Sequence, residues 1–256
     1  MQDQQLSYDC NDRLAFIITH KYFRQYENYL KYYIDNITKF YPKAFIIVVD
    51  NNSPYKDENF SKIEKRDNII LLDNNIECKF EYGGYQVGIK YLLDNNLLTN
   101  FDYIVCAQDT FVLKNRYDFN NLKKDNVLAC PLNSFHQDQH YAPEREAMLN
   151  HLGINDNMDK VTFCWCNSFI VATSRAEYLY NRFLTRMVLT ASVHREYTER
   201  YFARVLWELN DYRNYDIDGD IRNLPYDCHS VDIPNATVST YFAKRAQQKN
   251  EHTPIV

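Results

Sequence analysis

Short, wholly apolar runs recur through the first half of the chain, and amphipathic stretches separate them. Residues 14–19, Leu-Ala-Phe-Ile-Ile-Thr, are rich in β-formers and read as a buried strand. Over 22–40, Tyr22, Tyr26, Tyr29, Leu30, Tyr33, Ile34 and Ile37 recur at three- and four-residue spacings. That spacing predicts an amphipathic helix, stopped by Pro42. Phe45 to Val49 is a second buried strand, running into the turn signal Asp50-Asn-Asn-Ser-Pro54. A third strand is expected over 68–72, a helix from about Tyr85 to Asn95, a fourth strand over 103–106 and a fifth over 127–130.

Strands that alternate with helices imply βαβ units and a mostly parallel sheet, an α/β fold. In such sheets ligands bind beyond the carboxyl ends of the strands. Those ends are Thr19-His20, Asp50-Asn51-Asn52 and Ala107-Gln108-Asp109. The second half is less regular. Residues 133–160 are polar, 163–172 read as one strand, and 175–189 and 196–209 read as helices. The tail from about 213 is rich in Asp, Asn and Pro, with a short helix expected at 240–248. With no internal repeat or low-complexity linker, a single domain over 1–256 is expected. Its regular α/β half would be about 13–130, and the rest an irregular half with a C-terminal tail.

Composition narrows the function. Hydrophobic residues make up 45% and charged residues 25%, the ordinary globular mixture. No apolar run approaches the roughly 18 residues of a spanning helix. The first ten residues lack the basic start and apolar stretch of a signal peptide. A soluble, cytoplasmic protein is the expectation. The net charge of −5, without a basic block, argues against a nucleic-acid surface. Seven cysteines, an odd number with several inside apolar runs, read as reduced core thiols. The 22 Tyr and 15 Phe, with abundant Asn, Ile and Lys, match AT-rich codons. Such a genome fits a large virus, a protist or an AT-rich bacterium.

Six constellations could carry chemistry. Gly83-Gly84-Tyr85-Gln86-Val87-Gly88 holds three of only five glycines, so the backbone there either turns sharply or approaches something closely. It reads as a phosphate-attracting helix start or as a plain tight loop, and it matches neither the dinucleotide nor the P-loop pattern. Asp109 ends an apolar strand, as either a cation-holding carboxylate or a turn residue. Asp50-Asn51-Asn52 could pair with a nucleoside or form an Asx turn. Glu196 and Glu199 share a helix face and suit a general base, or simply a solvated face. His136-Gln-Asp-Gln-His140 has paired histidines but no intervening Glu. His229 and the cations Lys244-Arg245 form a late group.

Taken in order, Phe16-Ile-Ile-Thr-His20, Ile47-Val-Val-Asp-Asn-Asn-Ser53, Glu81-Tyr-Gly-Gly-Tyr-Gln-Val-Gly88 and Asp102-Tyr-Ile-Val-Cys-Ala-Gln-Asp-Thr110 resemble the nucleotide-sugar half of a GT-A type glycosyltransferase. The resemblance covers about residues 13–115, with Glu199-Arg-Tyr-Phe202 beyond it. It implies a GT-A-like, Rossmann-like central sheet with an irregular acceptor half. Thr19, His20, Asp50 and Asn51 would hold the nucleoside, and Gly83, Gly84, Gln86, Lys90, Gln108 and Lys244 would line the donor. The D-x-D triplet aligns with Ala107-Gln108-Asp109, so its first Asp is missing. Asp109 and His229 would hold Mn2+ or Mg2+.

The implied reaction moves a sugar from a UDP-, GDP- or dTDP-sugar to a hydroxyl of a glycan or glycoprotein. Glu199, then Glu196, then Asp138 are the candidate bases, and Trp165 and Tyr197 could stack on sugar rings. Two alternatives stay open: a non-catalytic nucleotide or glycan binder on the same fold, and a sugar nucleotidyltransferase.

Overall fold

The computed structural model describes residues 13–22, 30–54, 56–109, 111–135, 163–164, 167–187, 195–215, 217 and 242–244. Its centre is a six-stranded sheet in the order β3-β2-β1-β4-β9-β6. The strands are β1 (Leu14–His20), β2 (Phe45–Asp50), β3 (Ile69–Asp73), β4 (Tyr103–Gln108), β6 (Ala129–Pro131) and β9 (Phe169–Ala172). β1 pairs in parallel with β2 and β4, and β2 with β3. β9 runs antiparallel between β4 and β6. All seven residues of β1 are buried, as are all six of β4. That is why these strands are apolar at every position instead of alternating.

The sheet is covered on both faces. Ile17, Val49, Ile104, Cys106, Phe169 and Val171 face helices α3 (Phe80–Asp94), α5 (Thr173–Arg182) and α6 (Arg195–Leu209). Phe16, Ile18, Val48, Val105 and Ile170 face α1 (Leu30–Phe40). Two small sheets are added. β5 (Phe111–Leu113) pairs antiparallel with β10 (Phe242–Lys244), and β7 (Ser134–Phe135) with β8 (Phe163–Cys164). The short helices α2 (Lys56–Phe60) and α4 (Asn120–Lys124) complete the described α-helices.

Several sequence expectations are corrected. Helix α3 starts at Phe80, not near Tyr85, so the glycine cluster lies inside it. The single strand expected over 163–172 is two, β8 and β9, belonging to different sheets. Helix α5 ends at Arg182 and is followed by a 3-10 turn at Leu184–Arg186. In place of a helix at 240–248, residues 242–244 form β10, because β5 offers an open edge to pair with. The cysteines Cys78, Cys106, Cys130 and Cys164 are buried thiols, as expected. Among the described residues no helix is long and apolar enough to cross a membrane.

Candidate functional site

The chain lays down β1, β2 and β3 in one direction, then returns to place β4 on the other side of β1. The strand order therefore reverses between β1 and β4, where an open α/β sheet leaves a crevice at its carboxyl edge. Two side chains from those strand ends meet there. His20 Nδ1 lies 2.6 Å from Asp109 Oδ2, and the Lys21 backbone N–H donates to the same oxygen at 3.3 Å. The Asp109 N–H donates to the Thr19 carbonyl at 3.0 Å, which extends the β1–β4 ladder past the end of β4. The His20 side chain is 1% exposed and that of Asp109 13%. The imidazole thus backs a carboxylate that still reaches solvent.

On the β2 side, Asp50 spends its carboxylate on a turn. One oxygen accepts the Ser53 N–H at 2.8 Å, and the other accepts the Ser53 hydroxyl. Ser53 Oγ in turn accepts the Tyr22 N–H at 2.8 Å. The Asx-turn reading of this segment describes what the carboxylate does. Asn51 is buried in a chain of amides. Its Nδ2 donates to Thr19 Oγ1 at 3.4 Å, its Oδ1 accepts from Asn74 Nδ2 at 2.6 Å, and Asn74 Nδ2 also reaches the Cys78 carbonyl at 2.9 Å. Ser53 belongs to the turn signal read from the sequence, whereas Asn74 escaped that reading. A single Asn in a polar loop gives no signal of long-range pairing.

Helix α3 crosses β1 at unusually close range. A Cβ on Gly84 would sit 2.7 Å from Thr19 Cβ, and one on Gly88 2.5 Å from Ile17 Cγ2. The glycines admit the sheet to the helix, and they form no phosphate loop. Gly84 lies level with Thr19 and Gly88 with Ile17, so α3 runs down the sheet away from the site. Lys90 lies about 9 Å further along the helix axis than Gly84. Its ammonium pairs with Asp94 at 2.6 Å, and that hydrogen bond raises its pKa. Lys90→Ala is therefore expected to leave nucleotide affinity unchanged in calorimetry and to move the melting temperature by no more than about 2 °C. Gln86 points the other way, donating to the Leu184 and Met187 carbonyls, the latter at 3.0 Å. It fastens α3 to the 3-10 turn.

The first turn of α3 does reach the edge. The buried Glu81 accepts a hydrogen bond from Gln108 Nε2, and Tyr82 Oη donates to Asn167 Oδ1 at 2.8 Å. A carboxylate suits a helix N-terminus. Burial pushes the Cys106 thiol of β4 and the Tyr85 phenol of α3 well above their ordinary ranges.

Helix α6 arrives from the opposite end. Asn210, just past its C-terminus, accepts the Leu128 N–H at the foot of β6 at 2.8 Å. Phe202 packs on Phe169 and Tyr82, with ring centroids 4.6 and 5.2 Å apart. Its first turns, with Glu196, Tyr197 and Glu199, therefore lie at the carboxyl edge, about one turn beyond Phe202. Lys244 sits on β10 opposite Phe111, two residues from Asp109 along the chain. His229, Asp138, His136, His140 and Trp165 lie outside the described residues.

No family model matches the sequence, and no curated protein matches it either. Solved structures of similar fold include the core-mannan synthase A of Aspergillus fumigatus in its Mn/GDP form. The identity is 10%, the TM-score 0.43, and the match covers 82% of this chain and 74% of the synthase. They also include the 4-diphosphocytidyl-2C-methyl-D-erythritol synthase of Anaerococcus prevotii, with 13% identity, a TM-score of 0.46 and coverage of 80% and 87%.

Proposed function

We propose that this chain is a glycosyltransferase that takes a sugar from a nucleoside-diphosphate donor to a hydroxyl of a glycan or glycoprotein. The His20–Asp109 pair at the β1/β4 switch point carries this reading, because it sets a partly exposed carboxylate where an α/β sheet receives a phosphorylated ligand. On the β2 side, Thr19, Asp50 and Asn51 shape the wall for the nucleoside.

A divalent cation fits this arrangement in one way. His20 and the Lys21 N–H engage only Oδ2 of Asp109, so the carboxylate has a second oxygen to offer. Among the described residues no three His, Cys, Asp or Glu groups gather closely enough to hold a metal unaided. Mn2+ or Mg2+ would therefore be held by Asp109 with substrate phosphates and water, a mode such ions favour, with His229 as a further ligand. When bound, the ion neutralises charge on the departing diphosphate.

The remaining work falls to the chain. His20 fixes the orientation of the Asp109 carboxylate, as outer-shell partners of metal ligands do. Lys244, beside β5, supplies positive charge near the phosphates. In an inverting transfer Glu199, or Glu196 one turn earlier, accepts the proton of the acceptor hydroxyl as its oxygen bonds to the anomeric carbon and the bond to the diphosphate breaks.

The test is a thermal shift against UDP, GDP, dTDP and CMP, each with and without manganese. One diphosphate at 100 times its Kd is expected to add about 2.7 kcal/mol, or roughly 5–10 °C for a chain of this size. Manganese should enlarge the shift. No shift with any nucleotide overturns the proposal. Pyrophosphate release from a nucleoside triphosphate and a sugar phosphate would instead make the chain a nucleotidyltransferase.

A further inference from the structure

The main sheet ends in two edges, and the chain treats them differently. At the β6 edge, the Ala172 N–H donates to the Leu128 carbonyl at 2.8 Å and the Leu132 N–H to the Ser168 carbonyl at 2.9 Å. Leu128, Cys130 and Leu132 thus turn their backbone toward β9, and Ala129 and Pro131 turn theirs outward. Proline has no N–H, so this outer row is interrupted, which is a common protection of an edge strand.

β3 forms the opposite edge and carries no such device. The Ile46 N–H donates to the Asn68 carbonyl and the Asn74 N–H to the Asp50 carbonyl, both at 2.8 Å. That alternation turns Asn68, Ile70, Leu72 and Asn74 toward β2, and Ile69, Leu71 and Asp73 outward. The β2–β3 register runs from Ile69 to Asp73 without a bulge, and Ile69-Ile-Leu-Leu72 holds no proline and no charge. Leu71 is 40% exposed, the one exposed large aliphatic side chain among the described residues. A bare apolar edge of this kind is a template for another strand.

We infer that this strand comes from a second copy of the chain, its β3 running antiparallel to the first across a two-fold axis at Leu71. The edge is self-complementary about that point. Leu71 exchanges both backbone bonds with Leu71 of the second copy, and the Asp73 N–H donates to the Ile69 carbonyl opposite. The Ile69 N–H is already spent on the Arg66 carbonyl at 3.0 Å. On one face Leu71 meets Leu71, and on the other Ile70 meets Leu72. Charge fixes the register. Asp73 is paired with Lys56 at 2.7 Å and lies opposite an isoleucine. A slide of two residues one way would set it against the exposed Asp67 of the other chain, and the other way against Leu71. A slide of one residue would set outward backbone groups against inward ones. Across the axis the carboxyl edges point in opposite directions, so both candidate sites stay open.

The experiment is light scattering on the wild-type chain and on Leu71→Lys at about 5–200 µM, the range suited to a short interface. The wild type is expected to rise to twice the mass of one chain, and Leu71→Lys to associate at least a hundredfold more weakly. The substitution is at an exposed position, so the melting temperature at low concentration should shift by no more than about 4 °C. Hydrogen exchange at the Leu71 and Asp73 amides should slow as the wild-type concentration rises. Leu71→Cys tests the register. Opposed residues of a hydrogen-bonded pair have Cα atoms about 5.5 Å apart, within reach of a disulfide, whereas Leu72 would lie beyond about 7 Å from its own copy. Mild oxidation is expected to cross-link Leu71→Cys, and neither Leu72→Cys nor the wild type.

A wild type that stays monomeric throughout, or a dimer that Leu71→Lys leaves intact, overturns the inference. So does cross-linking of Leu72→Cys to the same extent as Leu71→Cys, which would mean another register. Amide protection at Leu71 and Asp73 that is independent of concentration also overturns it, because part of the same chain would then cover the edge. None of these results depends on a nucleotide, so the glycosyltransferase reading stands or falls separately.

Discussion

Asp109→Asn is expected to lower kcat/KM for sugar transfer by about 10³-fold while the protein stays folded. The substitution keeps the shape of the side chain and an oxygen that can still accept from His20. It removes the negative charge that would hold a cation and, through it, the diphosphate. Losing one electrostatic contact to charge that develops in the transition state typically costs 10²–10³ in rate. The pair joins a side chain that is 1% exposed to one that is 13% exposed, so its loss also costs some stability. Circular dichroism should record a melting temperature lowered by no more than about 5 °C. Steady-state transfer with the donor found by thermal shift, at a series of manganese concentrations, gives the activity. Undiminished transfer with an unchanged manganese requirement would remove Asp109 from the chemistry.

Gly83→Ala is expected to produce the largest loss of stability of any Gly→Ala substitution among the described residues. The new Cβ would lie 2.1 Å from the Cys78 carbonyl oxygen and 2.4 Å from Asn74 Nδ2. Neither can retreat cheaply. The carbonyl accepts from Asn74, whose own N–H is tied to the Asp50 carbonyl at 2.8 Å. Overpacking against fixed backbone costs about 3 kcal/mol or more, roughly 6–12 °C here. The sign matters more than the size. Within a helix, alanine is otherwise favoured over glycine by about 1 kcal/mol, and in an open loop it also stabilises. A melting curve that rises on Gly83→Ala would mean that the glycine faces open space and that α3 does not meet the Asn74 loop as described.

The same glycines show where the sequence was legible and where it was not. β1, β2 and β4 were readable because a strand buried on both faces is apolar at every position. Their polar ends, Thr19-His20, Asp50-Asn51 and Gln108-Asp109, marked the edge for the same reason. The start of α3 was misplaced because glycine acts locally as punctuation. Gly83 and Gly84 are set by contacts with Cys78 and Thr19, which no local pattern records. Phe242-Ala-Lys244 suits a helix locally, and only the open edge of β5 makes it a strand. At the site, Asp109 could be found alone. Its partnership with His20, 89 residues away, and the link from Asn51 to Asn74 exist only once the sheet has formed.

The antiparallel β9 has a consequence for how the chain reaches this state. β6 leaves the ribosome some forty residues before β9, yet among the described residues β9 is its only neighbour in the sheet. Until residue 172 emerges, β4 presents a bare row of backbone donors and acceptors along an apolar strand, and β6 has no place to dock. An open edge of this kind recruits other chains. Synthesis therefore passes through an interval in which the nascent chain depends on shielding, and it ends only when the returning strand closes the gap.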